Sequence, residues 1–99
     1  MSKIDFNTLE MSAVRLIANG RYQDALKIYF FMSDGDRSLD GGYLAKRIAQ
    51  CYEALGDPHA AKYWYGRAIE ENPIVNADCI EARANLGNVS IDDLLKPEG

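Results

Sequence analysis

Residues 45–73 read AKRIAQCYEALGDPHAAKYWYGRAIEENP, and small and large apolar residues recur in them at helical spacing. Ala45, Ile48, Ala49, Tyr52 and Leu55 share one face of a helix predicted over about Tyr43–Leu55. Gly56-Asp57-Pro58 then turns the chain, with Asp57 suited to an N-cap and Pro58 to the first helical turn. A second helix is predicted over about Pro58–Glu71, with Ala61, Trp64, Tyr65, Ala68 and Ile69 inward and Asn72-Pro73 closing it. The stretch therefore reads as a helix, a glycine turn, and a second helix packed back on the first.

The same punctuation occurs 36 residues earlier. Ala13, Gly20, Ala25 and Tyr29 fall on Ala49, Gly56, Ala61 and Tyr65, while Leu16 meets Tyr52 and Ile28 meets Trp64. A small residue repeated in one slot lets two helices approach closely, and a period of this length marks a stacked helical repeat. The leading helix of the first unit is expected over about Phe6–Asn19, with Asp5 as N-cap and Gly20 taking a left-handed conformation. Its partner is expected over about Tyr22–Met32, with Tyr22, Ala25, Leu26, Tyr29 and Met32 on one face. A polar, glycine-rich loop, Ser33–Gly42, joins the units. A fifth helix, about Val75–Leu86, carries Val75, Cys79, Ala82 and Leu86 inward and Asn76, Asp78, Glu81, Arg83 and Asn85 outward. Such a polar-backed helix would cap the last apolar face. Ser90-Ile91-Asp92-Asp93 resembles a capping box and predicts a short terminal turn through Leu94 and Leu95 before Pro97.

The 99 residues make one small domain, 1–99, with eleven basic residues against fifteen acidic ones and a net charge of −4. That balance argues against nucleic acid, whose phosphates call for clustered Lys and Arg, and against an anionic membrane surface. The first residues have no apolar core of a signal peptide, and no stretch nears the ~20 apolar residues that span a bilayer. Cys51 and Cys79 are expected as reduced, buried thiols in a cytoplasmic protein; a disulfide between them would need two neighbouring helices to align.

On these residues the chain resembles the tetratricopeptide repeat family. Ile48-Ala49, Tyr52, Gly56, Ala61, Tyr65, Ala68 and Pro73 stand in that family's signature slots, with Ala45 where its leading tryptophan would be. The first unit keeps Ala13, Gly20, Tyr22, Ala25 and Tyr29 but has Ser12 and Met32 in two slots. The spacing of 36 exceeds the family's usual repeat by two residues, which places two extra residues in the loop between units. The resemblance implies an all-α, right-handed stack of antiparallel helix pairs: repeat one over about 6–37, repeat two over about 42–73, and a capping helix over about 75–88. It further implies that the leading helices line a concave groove. The groove residues would be Asn7, Glu10, Val14, Ile17, Tyr43, Lys46, Gln50, Glu53, Ala77, Ile80 and Ala84, with Arg47 beside Lys46. Some members clamp a partner's terminal carboxylate with several basic residues. Here only Lys46 and Arg47 could serve, while Glu10, Val14, Ala77 and Glu81 stand where others are expected, so carboxylate-tail binding is disfavoured.

Chemistry beyond binding finds little support. His59 is the one histidine and has no spaced Cys or His near it, which disfavours zinc and His-based triads. Asp34, Asp36, Ser38 and Asp40 alternate as in a calcium loop, but Leu39 replaces the glycine of the sharp turn and Ala45 the closing glutamate. No cofactor or metal is expected, and no catalytic residue is assigned. Phe30-Phe31-Met32 is more unusual: with Tyr29 inward, at least one phenylalanine should face out. Either the Ser33–Gly42 loop folds over it, or Phe30 and Phe31 form an interface patch. The sequence thus points to a non-enzymatic adaptor or small chaperone cradling a peptide or helix of another protein. Two alternatives stand beside it: a self-associating subunit using the Phe30-Phe31 surface, and a small acidic bacterial secretion chaperone.

Overall fold

The computed structural model describes residues 5–35 and 41–86. The described residues form five helices and no strand: α1 (Phe6–Ala18), α2 (Tyr22–Asp34), α3 (Tyr43–Ala54), α4 (Pro58–Glu71) and α5 (Ala77–Asn85). Each helix packs chiefly on its neighbours in the chain. The expected terminal turn at Ser90–Leu95 lies outside the described residues, as do Asp36, Ser38 and Asp40 of the alternating loop.

The two glycine turns repeat to the level of individual hydrogen bonds. After α1, the Gly20 N–H donates to the Ile17 carbonyl (2.9 Å) and the Arg21 N–H to that of Leu16 (2.8 Å). After α3, the Gly56 N–H donates to Glu53 (3.1 Å) and the Asp57 N–H to Tyr52 (2.9 Å). Every atom pair in the second turn is 36 residues beyond its counterpart. This is the Schellman arrangement, which satisfies carbonyls that a helix end leaves unpaired and needs a left-handed residue at the turn. Gly20 and Gly56 supply it, at φ +75° and +79°. The helices that follow start differently. Asp57 accepts the Ala60 N–H (3.1 Å) and Pro58 opens α4, whereas Arg21 makes no side-chain cap on α2.

Alanine occupies the most deeply buried slots of the helices. Ala13, Ala25, Ala49 and Ala61, the four alanines that recur at 36-residue spacing, are wholly buried. Around them the core comprises Leu26, Tyr29, Met32, Leu44, Ala45, Ile48, Cys51, Tyr65, Ala68 and Cys79. α3 lies between α2 and α4 and contributes most; full burial of Ile48 is worth roughly 1.5–3 kcal/mol. Leu44, absent from the expected inward face, is 1% exposed because α3 contacts neighbours on two sides.

Two expectations for the last helix are corrected. Val75 does not begin α5 and is 71% exposed. The Asn72 side chain accepts the Val75 N–H, and the Asn72 carbonyl accepts that of Asn76, so a turn uses up residues 73–76. Asn76, expected outside, is instead buried. Its amide donates to the carbonyls of Gly41 (2.9 Å), Ala68 (3.1 Å) and Asn72 (3.0 Å), tying the start of α3 to the end of α4. Three backbone acceptors compensate the cost of taking an amide out of water. Gly42 fits beneath it at φ +92°, where a methyl group would stand 2.5 Å from Asn76 Nδ2 and 2.6 Å from the Ala68 carbonyl oxygen. The start of α3 therefore lies against the end of α4, and the two run antiparallel.

Candidate interaction site

Side chains from α1, α3 and α5 meet along the molecule. The Tyr43 hydroxyl donates to Glu10 Oε1, joining α3 to α1. Thirty-six residues on from Glu10, Lys46 pairs with Asp78 of α5 at 2.5 Å. One slot of the leading helix thus reaches forward to the next leading helix in both units, with the charge reversed. Between these links, Arg47 Nε donates to the Tyr29 hydroxyl (3.3 Å) and Nη1 to Gln50 Oε1 (3.0 Å), and its guanidinium lies 5.9 Å from the Tyr43 ring centroid. The Tyr65 hydroxyl donates to Glu53 Oε1 (2.8 Å), which fastens Glu53 to α4.

The electrostatics follow from these contacts. Burial, with the carboxylate of Glu10 as acceptor, pushes the Tyr43 phenol up to about 12. Tyr65 is raised for the same two reasons, burial and its bond to Glu53. Burial also raises Tyr29, against the opposing pull of Arg47. The hydrogen bond from Lys46 holds Asp78 below the usual carboxylate range. All three phenols are accordingly neutral hydrogen-bonding groups at neutral pH.

At the junction of α1, α2 and α3 a cavity of about 310 Å³ opens, lined by Phe6, Asn7, Glu10, Met32, Tyr43 and Leu44. The 36-residue register sets this end against its counterpart in the second unit. Phe6 and Met32 occupy the slots that Gly42 and Ala68 occupy in the second unit. Glycine and alanine let α3 and α4 close; in the first pair the larger Phe6 and Met32 side chains line the cavity. A methyl group placed on Gly35 would stand 3.5 Å from Phe6 Cζ, so the start of α1 does lie beside the end of α2.

Of the residues expected in one groove, Asn7, Glu10 and Tyr43 line this cavity, and Arg47 and Gln50 adjoin it through the contacts above. Val14 is exposed and lies outside that network. Ile80 is apart from it: it shares an open depression of about 420 Å³ with Lys62 and Ile69 of α4 and Arg83 and Ala84 of α5. The structure also separates the two phenylalanines. Phe30 turns inward, its ring 5.6 Å from Trp64 and 6.5 Å from Tyr52, while Phe31 is 56% exposed. Phe31 borders an open depression of about 530 Å³ with Phe6, Asp34 and Gly35. Sequence reasoning missed Tyr29 and Asp78 as partners of Arg47 and Lys46, and Phe6, Met32 and Leu44 as cavity walls. The register carried a signal for Phe6 and Met32, since both are large where the second unit is small.

Cys51 and Cys79 are free thiols, buried on α3 and α5, and burial raises both. No group of three or more His, Cys, Asp or Glu able to hold a metal occurs among the described residues, and none of their helices is long and apolar enough to cross a membrane. Compared with known protein families, with curated proteins and with solved structures, the chain matches none.

Proposed function

We propose that this chain is a tetratricopeptide-like module, a right-handed stack of helix pairs whose concave side holds a peptide or helix of another protein. The observation that carries the reading is the pair of forward links, Glu10 to Tyr43 and Lys46 to Asp78. They join α1, α3 and α5 through one recurring slot, as a common lining would require. Hydrogen bonds hold Tyr43, Arg47, Gln50 and Glu53 in place there, so a partner meets ordered side chains and the entropic cost of binding is reduced. Tyr43 retains enough exposure to act as an aromatic anchor. The reading is of an adaptor or small chaperone, non-enzymatic and cytoplasmic, and the two free thiols accord with a reducing compartment.

The test is affinity capture on the purified chain, wild type against Tyr43→Ala with Lys46→Glu, read by mass spectrometry. A partner retained by the wild type and lost by a double variant with an unaltered melting curve is the expected result. Equal capture by both overturns the reading. A second reading, self-association, is favoured by the neighbouring exposure of Phe31 and Phe6. Light scattering at micromolar concentration would show a dimer dispersed by Phe31→Ser; a monomer throughout excludes it.

A further inference from the structure

The cavity between α1, α2 and α3 has a chemistry that the groove reading does not use. Of its six lining residues Phe6, Met32 and Leu44 are apolar, and Asn7, Tyr43 and the carboxylate-bearing Glu10 are polar. Tyr43 occupies Glu10 Oε1, but Oε2 is shielded from solvent and has no hydrogen-bond partner among the described residues. An ionised carboxylate has about four acceptor positions, and leaving a buried one empty is costly. Among the described residues no cation forms an ion pair with it. Arg47 spends Nε on Tyr29 and Nη1 on Gln50, and makes no ion pair with Glu10. Lys46 is drawn away to Asp78. The volume, about 310 Å³, lies at the lower end of the roughly 300–1,000 Å³ range of ligand sites and leaves room for one long side chain.

We infer that this cavity receives a lysine or arginine side chain of the bound partner, its methylene stem against Phe6, Met32 and Leu44 and its cationic head on Glu10. The inference rests on the groove reading and specifies the partner's chemistry within it. Apolar walls ending in a carboxylate match the two halves of a basic side chain, an aliphatic stem and a charged tip. The terminal torsion of a glutamate is soft, so the carboxylate can turn to present Oε2 to the cavity. A charge-assisted hydrogen bond to the carboxylate is stronger than one between neutral groups. The chain's net charge of −4 adds long-range attraction for a basic segment.

The test uses a library of random peptides displayed on phage, selected on the full 99-residue chain. Selected peptides should share a Lys or Arg, and their affinity should fall at least tenfold against Glu10→Gln. Replacing that Lys or Arg by norleucine should cause the same loss on the wild-type chain. The two changes together should cost no more than either alone. The peptide-side change keeps the test valid if Glu10→Gln were to perturb folding. Peptides that lose binding to the Tyr43→Ala, Lys46→Glu chain yet contain no basic residue and ignore Glu10→Gln would overturn the inference and leave the groove reading standing. A selection yielding no peptide that maps to α1, α3 and α5 would overturn both.

Discussion

The first helix pair, α1 and α2, and the second, α3 and α4, turn through the same hydrogen bonds and then close at their far ends in opposite ways. In the second pair Gly42 sits against Ala68 and Asn76 binds over them; in the first, Phe6 and Met32 stand in the matching slots and a cavity remains. The burial of the leading helices differs too. α3 buries five residues where α1 buries one, because α3 contacts a helix on each side whereas α1 packs chiefly on α2. A turn is a local object, and a repeated glycine with two repeated carbonyls suffices to form it. A helix-pair end is not local, since the volumes of two side chains far apart in sequence set how near the backbones come.

The largest effect expected from breaking this contrast is at Gly42. Gly42→Ala meets both a positive φ and a backbone oxygen 2.6 Å away, whereas Gly20→Ala meets the positive φ alone, with open space around it. Strain of about 1–3 kcal/mol adds to overpacking of about 1–3 kcal/mol at Gly42, while Gly20 incurs only the first. Urea unfolding of both variants measures the difference, and equal losses would refute the tight closure of the second pair. Next come Ala25→Leu and Ala61→Leu, at wholly buried positions that share one slot. Each should lose about 1–3 kcal/mol, and a large gap between them would show that the two pairs pack differently at their centres as well.

Smaller effects test the helix starts. Asp57→Ala removes the cap on α4 and should cost about 1 kcal/mol, whereas Arg21→Ser installs one on α2 and should stabilise by a similar or smaller amount in thermal melts. The smallest effect concerns the forward link between Lys46 and Asp78. Asp78 is depressed in the folded state, so its contribution is present above the ordinary aspartate value of about 4 and is lost as pH falls through the lowered folded value. Asp78 is largely exposed, so Asp78→Asn should cost less than about 1 kcal/mol at pH 7 and remove that part of the acid dependence. Stability measured from pH 7 down to 3 on both chains checks it.

Much of the helical layout was legible in the residues. Gly20 and Gly56 marked their turns because left-handed backbone is cheap only for glycine, and Asp57-Pro58 marked a helix start by satisfying an orphan N–H. The four alanines marked positions that are wholly buried. Leu44 did not announce its burial, since a helix with two neighbours has two inward faces and a single periodic stripe reveals one. Asn76 looked like a surface residue because a side-chain amide is usually wet; only the carbonyls of Gly41, Ala68 and Asn72, gathered from three places in the chain, made its burial favourable. The candidate site was half legible. Glu10, Tyr43, Lys46 and Arg47 were singled out, yet their partners were not, because an ion pair or phenol contact across 18 to 33 residues leaves no mark in local spacing.

What the residues settle alone is therefore the set of elements and their turns, whose physics involves neighbours within about one helical turn. Tertiary structure decided the rest: that Phe30 turns to Trp64 while Phe31 stays out, that Ile80 parts from Tyr43, and that Glu10 keeps a shielded oxygen at a cavity. Those outcomes depend on how volumes and charges from separate helices meet, and no interval along the chain encodes that meeting.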